Sequence, residues 1–166
     1  MNFTEVSDVL RRERDLIELL HFKLEEERLV LTTGQSSWVE RSAREVEAVS
    51  EEAHRVEEDR RRIIEAFAGR LGIHGECTLS ALRQASPPEW ATVFADHQSV
   101  MADLVPKVKE AVEANRELLL RGTDSVRQAL AGFGREQDPG DEKVYARHGG
   151  PSGSARNRAC FLDWKV

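Results

Sequence analysis

Residues 6–31 read VSDVLRRERDLIELLHFKLEEERLVL. Alternating steps of four and three through this stretch give Val6, Leu10, Glu13, Ile17, Leu20, Leu24, Glu27 and Leu31. Such steps stay on one face of an α-helix, so the stretch predicts a helix with a heptad-like seam. The seam is imperfect, because Glu13 and Glu27 interrupt the aliphatic residues. Leu16 and Leu29 lie beside it and widen the face. Asn2 can cap the helix, and Glu5, three residues on, completes a capping-box start. A first helix over about 3–32 follows.

Thr33-Gly34-Gln35 breaks the pattern, with Gly34 placed for a tight turn. Ser37 and Glu40 read as a second capping box, opening a helix over about 37–71. Its seam is Val39, Ser42, Val46, Val49, Ala53, Val56, Arg60, Ile63 and Phe67. At 1.5 Å per residue it is roughly 50 Å long. A helix of that length cannot bury its stripe alone, and the short turn before it implies an antiparallel hairpin.

Gly72 to Gly75 reads as loop, and Thr78 can cap a short helix over about 79–85. Ser86-Pro87-Pro88 then starts a last long helix, over about 87–133. Its seam is Trp90, Phe94, His97, Met101, Leu104, Val108, Ala111, Asn115, Leu118 and Gly122, continuing through Val126, Leu130 and Phe133. Pro106 falls inside it and predicts a kink. From Gly134 the chain turns rich in Gly, Pro, Ser, Asn, Asp and Arg and loses the helical period. The expected organisation is a helical bundle over 1–133 and a flexible tail over 134–166. The terminus, with Phe161, Leu162 and Trp164, is too apolar for a purely solvating tail and suggests a docking segment. The fold class is all-α: an elongated antiparallel hairpin and coiled-coil bundle of three long helices plus a short one.

Composition agrees. Charged residues make up 33% of the 166 and aromatics only 6%, which suits long helices with narrow apolar stripes. A net charge of −6 lacks the basic footprint of a nucleic-acid binder. Arg11-Arg12 and Arg60-Arg61-Arg62 are flanked by acids and read as solvated faces of mixed charge. No apolar run reaches the roughly 18 residues of a membrane span. Glu5 and Asp8 in the opening residues do not suit a secretory leader, so a cytoplasmic chain with reduced Cys77 and Cys160 is expected.

Chemistry finds little to build on. No two of the five histidines stand at a metal-ligand spacing, and His74 with Cys77 lacks a second pair. His97 reads as a packed residue on its seam. Glu25, Glu26 and Glu27 read as a solvated face rather than an acid/base pair. No nucleophile elbow or phosphate loop is present. The expectation is a binding protein with no catalytic residues, no metal and no cofactor. Asn115 has two readings: a register-setting core residue, or one that meets the backbone of a bound segment.

Four features resemble the FlgN family of flagellar type III export chaperones. They are Leu19-Leu20 to Leu29 in the first helix, and Glu113-Ala114-Asn115-Arg116-Glu117-Leu118-Leu119 in the last. Leu130 to Gly132 precedes a break, and Tyr145-Ala146-Arg147-His148-Gly149 is similar to the family's tail motif. The resemblance implies a cytosolic chaperone for flagellar hook-associated (hook–filament junction) proteins. It would hold their terminal helices unassembled and deliver them to the flagellar export gate. Val108, Val112, Asn115, Leu118, Leu119, Val126, Leu130 and Phe133 would meet the client on the last helix, with Tyr145, Phe161, Leu162 and Trp164 as tail anchors. The competing reading is a structural coiled-coil scaffold with no client, against which Glu13, Glu27, Ser42 and Arg60 on the seams argue. A homodimer and a three-helix bundle would use the same stripes.

Overall fold

The structure is a computed structural model that describes residues 2–73 and 78–133. Four helices account for nearly all of them: α1 (Phe3–Thr32), α2 (Ser36–Leu71), α3 (Leu79–Gln84) and α4 (Pro88–Phe133). None is long and apolar enough to cross a membrane. The three long helices and the short one lie where the apolar periodicity puts them. The 134–166 tail lies outside the described residues.

The helix ends follow local chemistry. Asn2 Oδ1 accepts from Glu5 N at 2.9 Å, and Asn2 N donates to Glu5 Oε2 at 3.2 Å, so the capping box of α1 is complete. Gly34, at φ +69°, turns the chain out of α1, and Gln35 N donates to Val30 O at 3.3 Å. Gly72 does the same for α2 at φ +71°, with Ile73 N on Ala68 O at 3.0 Å. Both are six-to-one closures that want a left-handed residue. Thr78 caps α3 by accepting from Ala81 N at 3.2 Å.

The start of α2 differs from expectation. Its cap is Gln35, without a side-chain bond, and Ser37 with Glu40 makes no capping box. The tight turn already places Ser36 in the helix, and the Glu40 carboxylate is taken by Arg44 one turn on.

α1 is the central element, packing along both α2 and α4. It runs antiparallel to α2: Lys23 meets Glu45 near the turn, Glu13 meets Arg60 midway, and Phe3 meets Phe67 at the far end. It runs parallel to α4, with Phe3 stacked on Trp90 and Glu27 bonded to Asn115. The bundle is therefore up, down, up. α4 runs unbroken through Pro106, whose position is exposed, so water can satisfy the carbonyl that loses its partner there.

The core divides in two. One cluster gathers Ile17, Leu20, Leu24, Val46, Ala53, Met101, Val108 and Ala111. The other gathers Val6, Leu10, Ile64, Phe67, Leu79, Leu82 and Phe94, with Phe3 and Trp90 against it. The gap between them holds the polar seam residue of each helix: Glu13 between Leu10 and Ile17, Arg60 between Val56 and Ile64, His97 between Phe94 and Met101. Glu13 is 1% exposed and accepts from Arg60 Nε at 2.9 Å. Arg60 thus departs from the solvated-face reading: its guanidinium turns inward to a buried carboxylate.

Glu27 departs from it too. It is buried, and Asn115 Nδ2 donates to Glu27 Oε2 at 2.9 Å and to Leu24 O at 2.8 Å. The flaws in one seam therefore meet the flaws in another. Pairing of this kind opposes a one-heptad slip, because any shift strands a charge among aliphatic side chains.

Candidate protein-binding interface

α4 changes character along its length. Through Asn115 it buries Phe94, His97, Met101, Val108, Ala111 and Asn115. Leu118 and Leu119 are half-buried, and every residue from 120 to 132 is exposed. The register explains the change. Asn115 lies opposite Leu24 and Glu27, and α1 ends at Thr32. About one and a half turns later α4 outruns its partner and projects roughly 20 Å further.

The projecting part keeps the face that packs below. Val108 and Asn115 are seven residues apart, and Leu119, Val126, Leu130 and Phe133 continue that face at steps of four, seven, four and three. Below, the face is sheltered by α1. Above, Val126 is 59% and Leu130 66% exposed, and Leu120 is exposed on the flank.

Little besides continuity holds this tip helical. Glu117 pairs with Arg121 at 3.0 Å and Asp124 with Arg127 at 3.6 Å, both on the surface. Thr123 and Ser125 hydroxyls return to the carbonyls of Leu120 and Arg121. Exposed pairs contribute only tenths of a kcal/mol each, and a helix this short is marginal alone.

The twelve residues expected to bind a partner fall into three groups. Val108 and Asn115 are buried, and Val112 packs half-buried against the core. Leu118, Leu119, Val126 and Leu130 lie on the half-open or open part of α4, and Phe133 is its last residue. Tyr145, Phe161, Leu162 and Trp164 lie outside the described residues, as do His74 and Cys77.

Sequence reasoning passed over one surface. Near the α1–α2 turn Leu29 and Trp38 are exposed, and Phe22 is exposed further back along α1. Leu29 does not widen the seam; it lies on the far side of α1 from the core and is 63% exposed. Arg41 lies over the Trp38 ring at 5.7 Å. A shallow groove of about 450 Å³ beside it is lined by Lys23, Val30, Trp38, Arg41 and Glu45, among others. Lys23 bridges Glu26 at 2.6 Å and Glu45 at 2.9 Å, and these bonds hold its ammonium above the ordinary value. The bonds from Lys23 and then Arg41 hold Glu45 below its own. The signal was an aromatic one residue off the α2 seam, since Trp38 precedes Val39.

At the other end, burial and then the nearby Arg14 guanidinium push the His97 imidazole below its ordinary value. Among the described residues no cluster of His, Cys, Asp and Glu could hold a metal ion.

Comparison with known proteins agrees with an interaction role. No curated protein and no solved structure matches the chain significantly. A family model described as FlgN protein matches residues 1–153, which takes in the whole helical bundle and Tyr145 but stops short of Phe161, Leu162 and Trp164. With more than nine-tenths of its length matched, the chain belongs to the FlgN family of flagellar export chaperones.

Proposed function

We propose that this chain is a cytosolic chaperone for flagellar hook-associated proteins, binding a terminal amphipathic helix of the client on the projecting end of α4. It would keep that helix unassembled and present it to the export gate. The observation that carries the reading is the exposed apolar stripe of the α4 tip, with Val126 59% and Leu130 66% exposed beyond the end of α1. An amphipathic client helix needs a matching stripe at helical spacing, and this face supplies one.

Leu118, Leu119, Val126, Leu130 and Phe133 form the contact surface in this reading. Val108, Val112 and Asn115 seat α4 on α1 and so fix where the tip points. Tyr145, Phe161, Leu162 and Trp164 add anchors that close over the bound helix. Modest affinity suits the task, because an export client must be released.

The scaffold alternative loses ground on a specific observation. Glu13 pairs with Arg60 and Glu27 with Asn115 inside one chain, so these polar seam residues have intrachain partners to offset their burial.

Co-purification of hook–filament junction proteins with the full chain tests the proposal. The full chain should retain at least one of them, and a Val126→Asp/Leu130→Asp variant should lose it while keeping its helical circular dichroism. Failure of the full chain to retain any of them would overturn the proposal.

A further inference from the structure

A second groove lies between α1 and α4, roughly 50 Å along α4 from Leu130. It has a volume of about 390 Å³ and is lined by Arg11, Arg14, Thr92, Val93, Asp96 and His97. Two of its polar atoms are buried without a hydrogen-bond partner among the described residues: Arg14 Nε and His97 Nδ1. His97 is 4% exposed. Buried polar atoms are nearly always bonded, and two orphans on one groove point to something that belongs there.

The chemistry of that missing group can be read from the wall. Arg14 presents an inward N–H, and its pair with Asp96 is loose, at 3.6 Å with Asp96 70% exposed. Arg11 adds a second cation, whereas the Thr92 hydroxyl is already donated to the Pro88 carbonyl at 3.1 Å. A neutral imidazole can donate from Nδ1. The groove therefore offers donors and positive charge to an acceptor of single negative charge. A planar carboxylate fits a guanidinium edge-on and accepts from two donors at once. Asp96 opposes a dianion such as phosphate. Val93 offers an apolar wall that the methylenes of an acidic side chain can use, and a bare anion cannot.

We propose that this groove binds the carboxylate of an Asp or Glu side chain on a partner protein, at a second recognition point remote from the α4 tip. Arg14 and His97 grip the carboxylate, and Arg11 draws it in. Because the groove and the tip are far apart, the two can be occupied together. This assignment does not depend on what the tip binds.

The test follows the His97 imidazole by proton–nitrogen NMR in the full chain at fixed ionic strength. The probes are an acetylated and amidated tetraglutamate peptide, acetate, and inorganic phosphate. The peptide should shift the His97 signals saturably, with at least tenfold higher affinity than acetate or phosphate. Arg14→Gln should weaken the peptide at least tenfold, and Arg61→Gln, exposed on α2, should leave it unchanged. Arg11→Gln, an exposed change that disturbs no packing, should weaken it severalfold and serves if Arg14→Gln does not fold. The proposal is overturned by the absence of a saturable shift, by phosphate binding as tightly as the peptide, or by Arg61→Gln matching the loss in Arg14→Gln. It is equally overturned if neither Arg14→Gln nor Arg11→Gln weakens the peptide.

Discussion

The lower and upper parts of α4 carry the same stripe and meet opposite fates. From Trp90 to Asn115 the stripe is closed over by α1. From Leu120 to Gly132 it faces solvent. Leu119, Val126 and Leu130 carry the face across the boundary, with Gly122 the one seam position there that lacks a side chain. What changes is the partner, because α1 ends at Thr32 while α4 runs on to Phe133. Stability thus belongs to the lower part and the proposed binding surface to the upper, and substitutions should separate the two.

The largest effect should come from the closed end. Phe94 is fully buried beside Phe3 and Trp90. Phe94→Ala should cost about 3–5 kcal/mol of unfolding free energy, measured by denaturant titration. Asn115→Ala comes next. It removes the donor to Glu27 and to the Leu24 carbonyl, and should cost about 1–3 kcal/mol. A loss as small as that of a surface change would show that the polar pair does not hold α4 on α1.

A smaller effect is a dependence on pH. The folded-state pKa of His97 is lowered, so the unfolded chain takes up a proton more readily. The neutral imidazole contributes its full stability above the unfolded value of about 6.5. That contribution falls as pH drops from there towards the folded value. His97→Gln should flatten the slope in that window, read from denaturation midpoints at several pH values. An unchanged slope would remove His97 from the account.

The smallest effect on stability should come from the tip. Val126→Asp and Leu130→Asp should each move the unfolding free energy by less than about 0.5 kcal/mol. A larger loss would mean that the tip is packed in solution and not free.

The sequence carried the helices well, because capping boxes, left-handed glycines and heptad steps are local signals. Asn2, Gly34, Gly72 and Thr78 could each be read without knowing the fold. The polar seam residues could not. Glu13 and Glu27 look like defects in a single stripe, and only the register between helices reveals that Arg60 and Asn115 stand opposite them. The same holds for the interface. One continuous stripe was visible from Trp90 to Phe133, but where it turns from core to surface depends on how far α1 reaches. Ser37 misled because a good cap sequence does not bind when the turn has already set the helix start one residue earlier. Trp38 sits off the seam, where periodicity is silent.

Hydrogen exchange by mass spectrometry, with and without the terminal helix of a hook–filament junction protein, tests the central claim most directly. In the free chain, amides of 120–132 should exchange far faster than those of 94–115, because no partner shields them. Adding the client helix should slow 120–132 and leave 94–115 as they were. Protection already present at 120–132 in the free chain, or client-induced protection confined to another part of the bundle, would contradict the account.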